Sequence, residues 1–185
     1  PNLARGYHRR PNDDAFAEGW FRGGDLALVD AGGFYQIVGR AKELIISGGE
    51  NIHPAEIENI ALADATVAEA AVVGVPDAQW GEVAVLAVVA RPGMTVDTER
   101  LQAAFAVTLA RFKHPRRIVV LDALPKTALG KVRKTDLAID LQQAGALEAE
   151  AGLMATRHGT AAVRRLTIRP QRPYTAAHAR GEPAD

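Results

Sequence analysis

Gly39-Arg40-Ala41-Lys42-Glu43-Leu44-Ile45-Ile46-Ser47-Gly48-Gly49-Glu50-Asn51-Ile52-His53-Pro54-Ala55-Glu56-Ile57-Glu58 sets the architecture of this chain. A Gly-Arg pair closes a short strand. Charged and small residues then lead into the apolar run Leu44-Ile45-Ile46, which Ser47-Gly48-Gly49 breaks. Asn51-Ile52-His53-Pro54 opens a helix, with proline at a first-turn position where its missing N–H costs nothing. Strand, glycine turn, strand and proline-started helix succeed one another with almost no slack. The residues before Gly39 read as the end of something larger. Those after Glu58 read as one small α+β domain.

Downstream, the pattern predicts a helix over 54–63 with Ile57, Ile60 and Ala61 on one face. An apolar run over 67–75 stops at Pro76-Asp77. A second, over 83–90, stops at Pro92-Gly93. Leu101, Phe105 and Leu109 recur at helical spacing within 98–110. A third strand covers 118–121, a loop spans 124–134, and a helix is expected over 135–143. These elements predict a mixed sheet of three to five strands with flanking helices. Upstream, residues 26–29 and 34–38 flank Asp30-Ala31-Gly32-Gly33 as a β-hairpin. That hairpin would set Asp25 and Arg40 close enough to face one small pocket, though taken alone Asp25 reads better as a turn residue after Gly23-Gly24. The expected divisions are 1–41, the end of a large preceding domain; 42–143, the small domain; and 144–185, a poorly ordered extension. The chain opens on Pro1-Asn2-Leu3 and is expected to be the C-terminal part of a longer protein.

Composition narrows the function classes. Lysine plus arginine number 22 and aspartate plus glutamate 22, so no basic field argues for nucleic acid or an anionic membrane. Cysteine is absent, which excludes disulfides and thiolate metal sites and fits a reducing compartment. No apolar run approaches the roughly 18 residues needed to span a bilayer.

Three local features carry chemistry. Ser47-Gly48-Gly49-Glu50-Asn51 lets a backbone approach a ligand, though taken alone a plain tight turn is the better reading. Lys131, after Gly130 on a strand-to-helix loop, can reach an oxyanion, though most lysines are solvated surface charge. Arg111-Phe112-Lys113-His114-Pro115-Arg116-Arg117 offers cations for phosphates and a ring for a base; a basic helix end is the plainer reading.

Taken in order, these features resemble the C-terminal portion of the acyl-adenylate-forming enzymes. The resemblance runs from about Leu3 to about Leu141. It rests on Phe21-Arg22-Gly23-Gly24-Asp25, on Gly39-Arg40-Ala41-Lys42, on the glycine turn from Ile46 to Ile52, and on the Leu-Pro-Lys-Thr-x-x-Gly-Lys loop from Leu124 to Lys131. Gly48 to Pro54, Gln79-Trp80-Gly81-Glu82 and Phe112 to Arg116 are most similar to CoA ligases within that superfamily.

The resemblance implies an ATP-dependent acyl-CoA synthetase. A carboxylic acid and ATP form an acyl adenylate, which CoA then converts to a thioester. It assigns Lys131 to catalysis of adenylation, and Asp25, Arg40 and Lys131 to ATP and AMP. Lys42 becomes the hinge. Gly48, Gly49, Glu50, Trp80, Phe112, His114 and Arg116 are assigned to CoA. No metal ligand is expected in this chain; Mg2+ would be bound mainly by the preceding N-terminal domain. That domain is the expected protein partner, with a homodimer possible, a cytoplasmic location, and no nucleic acid. Gly23 stands where the family has threonine, and His114 where arginine or lysine is common. Two alternatives stay open: an adenylation enzyme that loads a carrier protein, and a non-catalytic module that binds nucleotide or CoA.

Overall fold

The computed structural model describes residues 6–8 and 15–155. Its first elements are small hairpins. β1 (Phe16–Ala17) pairs with β2 (Trp20–Phe21), and β3 (Asp25–Val29) pairs antiparallel with β4 (Tyr35–Arg40). The β3–β4 turn is built by Asp30, whose Oδ1 accepts the N–H groups of Gly32 and Phe34 at 2.8 and 3.0 Å. The strands bring Asp25 directly opposite Arg40. A 3-10 turn, Ala41–Glu43, leads out of the hairpin.

β5 (Ile45–Ser47), β6 (Glu50–Ile52) and α1 (Pro54–Leu62) come next, as the sequence predicts. Ser47 pairs with Glu50 around a two-residue turn, with Gly48 at φ +59° and Gly49 at φ +88°. Positive φ at both central residues matches the right-handed twist of a hairpin, and only glycine adopts it without steric cost.

The body is a five-stranded mixed sheet in the order β6-β5-β8-β7, with β9 (Arg117–Leu121) beside β8. β7 (Val67–Asp77) and β8 (Gly81–Ala90) form its long antiparallel hairpin; β9 runs parallel to β8. The observed β7 continues through Pro76 and Asp77, where the sequence reading stopped it at Val75. The reason is topological. β7 is an edge strand, and the Val72 N–H turns away from β8 to the Glu58 carboxylate at 2.8 Å. Pro76 shares the parity of Val72, so the donor it lacks is one the β7–β8 ladder does not use. Asp77 then closes the three-residue loop, its Oδ1 accepting from the N–H groups of Gln79 and Trp80 at 2.9 and 3.0 Å.

Both sheet faces are covered, which is why β7 and β8 read as continuous apolar runs instead of alternating ones. Val72, Ala84, Leu86 and Val88 face α1 and α2 (Thr98–Thr108), packing with Ile57, Ala61, Leu101 and Phe105. The alternate residues Ala71, Val73, Val75, Val85 and Ala87 pack with Leu121, Leu124, Leu137 and Leu141 on the side of α3 (Lys134–Ala155). Asp97 caps α2 by accepting the N–H groups of Glu99 and Arg100, both at 3.0 Å.

α3 runs well beyond the expected end at Gln143. Gly145 weakens a helix interior by only about 1 kcal/mol, and the alanine- and glutamate-rich residues after it favour a helix. Gly145 also makes room for a side chain: a Cβ there would lie 2.9 Å from the Arg117 guanidinium, which donates to the Leu141 carbonyl at 3.0 Å. The expected disorder of 156–185, including the strand-like Leu166-Thr167-Ile168, lies outside the described residues.

This packing sets two tests. Phe105→Ala should cost about 3–5 kcal/mol in urea unfolding, whereas Val107→Ala, on the exposed face of the same helix, should stay within about 0.5 kcal/mol. The second concerns Asp64, which accepts two bonds from Arg100 at 2.7 Å and one from the Thr66 hydroxyl at 2.6 Å. Arg100 first, then Thr66, holds its carboxyl at about 2, below the ordinary 3.8. A folded-state value below the unfolded one adds stability that is present above about pH 4 and lost as pH falls through about 2. The thermal midpoint of wild type should therefore exceed that of Asp64→Asn at pH 6, and the gap should close between pH 4 and pH 2.

Candidate functional site

The loop from Leu124 to Lys134 presents Lys131, and backbone bonds define its shape. Lys126 bridges Val132, the Thr127 N–H donates to the Lys131 carbonyl at 2.8 Å, Gly130 donates back to Thr127 at 2.9 Å, and Arg133 donates to Pro125 at 2.8 Å. Gly130 takes the positive φ (+80°) that the turn requires. The Lys131 N–H donates to Thr127 Oγ1 at 3.2 Å. Lys131 therefore projects from a closed frame, and among the described residues its ammonium has no ion-pair partner. An exposed cation held this way is ready for an anionic ligand.

Lys131 lines a cleft of about 630 Å³. Lys42, Glu43, Glu82 and Lys134 line the same cleft. The hinge and catalytic lysines expected from the sequence thus meet at one cleft. Asp25 and Arg40 do not line it. They pair with each other, Arg40 Nε lying 3.4 Å from Asp25 Oδ1, while Arg40 Nη2 donates to the Gly23 carbonyl at 2.9 Å. Both side chains are about half exposed, so the pair adds little stability and is easily opened to a ligand. Asp25 keeps free lone pairs for hydroxyl donors.

Of the residues expected at CoA, Gly48, Trp80 and Arg116 lie at one edge of β8. β7 occupies the other edge throughout. On the edge opposite β7, β5 meets β8 at Ser47 and Gly81, and Arg116 N–H donates to the Ala84 carbonyl at 2.7 Å, about 10 Å further along. The Gly48 N–H donates to the Trp80 carbonyl at 2.9 Å, and the Trp80 ring lies over Gly48 so closely that a Cβ would sit 2.6 Å from it. Gly49 has nothing within 4 Å of its Cβ position, and Glu50 is exposed. Trp80 and Phe112 are both half exposed. His114 is half-buried, with Nε2 lying 3.1 Å from the Leu109 carbonyl, so only Nδ1 is left for a ligand. The Arg116 guanidinium is exposed. Lys113 is drawn away to Glu56 at 2.6 Å, anchoring the segment to α1.

Sequence reasoning missed Lys134. Its ammonium lies 2.7 Å from Glu43 Oε2 and 2.8 Å from Glu58 Oε1. No local signal marks it, because Glu58 and Lys134 are 76 residues apart. Among the described residues, no cluster of histidine and carboxylate side chains is arranged to hold a metal ion, and no helix is long and apolar enough to cross a membrane.

This geometry is that of an α+β module that exposes Lys131 at a cleft and sets an aromatic ring against a glycine turn beside β8. The family model of the AMP-binding enzyme C-terminal domain matches residues 56–131. The chain is 47% identical over 139 residues to the indoleacetate–CoA ligase of Aromatoleum aromaticum, covering 74% of this chain and 27% of that protein. It is 43% identical over 139 residues to a feruloyl-CoA synthase of Amycolatopsis, covering 74% and 28%. The solved o-succinylbenzoate CoA synthetase of Bacillus subtilis, in complex with its acyl-adenylate intermediate, superposes with a TM-score of 0.69 at 38% identity, covering 74% of this chain and 28% of that one. The chain belongs to the acyl-adenylate-forming superfamily and carries its C-terminal domain. It spans little more than a quarter of the length of these relatives.

The Gly48–Trp80 contact gives a direct test. Gly48→Ala should lower stability by about 1–2 kcal/mol for the left-handed backbone and displace the Trp80 ring, changing its fluorescence. Gly49→Ala should show the backbone cost alone, with Trp80 emission unchanged.

Proposed function

We propose that this chain is the C-terminal, moving part of an AMP-forming acyl-CoA synthetase. In the first half-reaction a carboxylate oxygen attacks the α-phosphorus of ATP, and pyrophosphate leaves. In the second, the CoA thiol attacks the acyl carbon, and AMP leaves as the thioester forms. The observation that carries this reading is Lys131, exposed and, among the described residues, without an ion-pair partner, at the end of a loop closed by its own backbone.

Lys131 would lie between the attacking carboxylate and the α-phosphate, offsetting the charge that develops there and holding the two in line. Asp25 would accept from the ribose hydroxyls once Arg40 releases it, and Arg40 would donate to the nucleotide. The Gly23 carbonyl already engages Arg40, so Gly23 supports the site through its backbone where threonine would use a hydroxyl. Gly48 and Gly49 would flank the pantetheine arm. Trp80 and Phe112 would offer rings to the adenine of CoA, and Arg116 a cation to its phosphates. His114, with one ring nitrogen committed to Leu109, would add a weaker contact. Mg2+ would be held with the ATP phosphates by the rest of the enzyme.

A large partner domain is supported by the β3–β4 hairpin, where Phe34, Tyr35 and Ile37 are 75%, 77% and 64% exposed. Such an apolar surface is normally covered. A cytoplasmic reaction is supported by the need for ATP and CoA and by the absence of cysteine.

The test is acid-dependent ATP–pyrophosphate exchange beside CoA thioester formation in the complete enzyme. Lys131→Ala should reduce exchange by about 10²–10³-fold. Exchange without a CoA product would favour a carrier-protein acceptor. No exchange by wild type across a broad acid panel would leave a nucleotide- or CoA-binding module.

A further inference from the structure

Hydrogen bonds bracket the hinge candidate Lys42 from both sides. On the hairpin side, the Ala41 N–H donates to the Gly24 carbonyl at 2.9 Å, and Arg40 Nη2 holds Gly23 at 2.9 Å. On the other side, Glu43 is held by Lys134 at 2.7 Å. Lys134 is the first residue of α3 and lies just after Lys131 in sequence. Its second partner, Glu58 on α1, also accepts the Val72 N–H from β7 at 2.8 Å. One ammonium therefore joins the turn after the hinge, the end of the Lys131 loop, α1 and, through Glu58, the sheet.

We propose that Lys134 is a positioning residue that fixes the Lys131 loop to Glu43, so that everything from Glu43 onward turns as one body and rotation is confined to Lys42. This rests on the adenylate-forming reading above, which supplies the rotation. The consequence is geometric. If Glu43 were loose, rotation would spread along Glu43 and Leu44, and the angle at which Lys131 arrives would vary. A displacement of about 1 Å at a reacting group costs about 10²-fold in rate.

Lys134 does not itself serve as a phosphate ligand. It lines the same cleft as Lys131, but its side chain is only 24% exposed and two carboxylates already engage it. Burial alone would lower its pKa; the bonds to Glu43 and Glu58 more than offset that and raise it above the ordinary 10.5. The clamp is therefore closed throughout the pH range in which such an enzyme works.

The experiment compares Glu43→Gln, Lys134→Met and Lys134→Arg in the complete enzyme. Three quantities are read: amide hydrogen exchange at residues 43–47, kcat and KM for ATP in pyrophosphate exchange, and the thermal midpoint. Glu43→Gln keeps the Lys134–Glu58 pair and should fold normally. It should speed hydrogen exchange at 43–47 and lower kcat about tenfold or more, with KM for ATP within twofold. Lys134→Met should do the same with a lower midpoint, and Lys134→Arg should recover most of kcat. Unchanged hydrogen exchange and kcat in Glu43→Gln would overturn the proposal. So would a fall in kcat in Lys134→Met that merely tracks the unfolded fraction. If wild type shows no pyrophosphate exchange, the adenylation reading fails, while hydrogen exchange at 43–47 still decides whether the clamp exists.

Discussion

Burial of β8 on both faces and along both edges is the constraint on which the rest depends. β7 takes one edge; β9 and the end of β5 share the other. Leu86, Ala87 and Val88 are fully buried. Once that strand is enclosed, its neighbours have little freedom. The glycine turn must fall beside Trp80, because Ser47 meets Gly81. The end of the basic segment 111–117 must meet the same edge, because it leads into β9. The placement of Trp80 and Arg116 beside β8 is a by-product of packing an apolar strand. Both side chains are exposed, and neither belongs to the core.

The electrostatics divide in the same way. Charges that hold the fold are paired: Asp64 with Arg100, Glu56 with Lys113, Glu69 with Lys126, Glu43 and Glu58 with Lys134. Lys131 and Lys42, which both line the cleft, have no such partner among the described residues. Exposed pairs contribute little to stability, so their main effect is on direction: they fix where loops point. Lys134 is the clearest case, being both part-buried and doubly engaged.

Much of this was legible in the sequence, for identifiable reasons. The β5–β6–α1 unit is local, and Gly48, Gly49 and Pro54 each announce a backbone state without help from distant residues. The amphipathic spacing of Leu101 and Phe105 is local too. Two boundaries were not legible. Pro76 is a strand breaker only where its N–H is needed, and whether it is needed depends on β7 being an edge. Gly145 ends a helix only where nothing favours continuing, and the Arg117 guanidinium beside it comes from another element. Among the expected site residues, Lys131, Asp25 and Arg40 were singled out through motif order, since residue type alone left Lys131 as surface charge and Asp25 as a turn residue. Lys134 carried no motif signal and appears only when α1, the Ala41–Glu43 turn and α3 are assembled.

The outer edge of β7 has a further consequence, for solubility. A long apolar edge strand is a template on which a second chain can add in register. Here the template is interrupted along its length: Glu58 occupies the Val72 N–H, Pro76 offers no donor, the ladder shifts register between Val67 and Glu69, and Glu69 carries a charge paired with Lys126. Each interruption removes a hydrogen-bonding position that an added strand would need, so the exposed edge of β7 is a poor template for self-assembly.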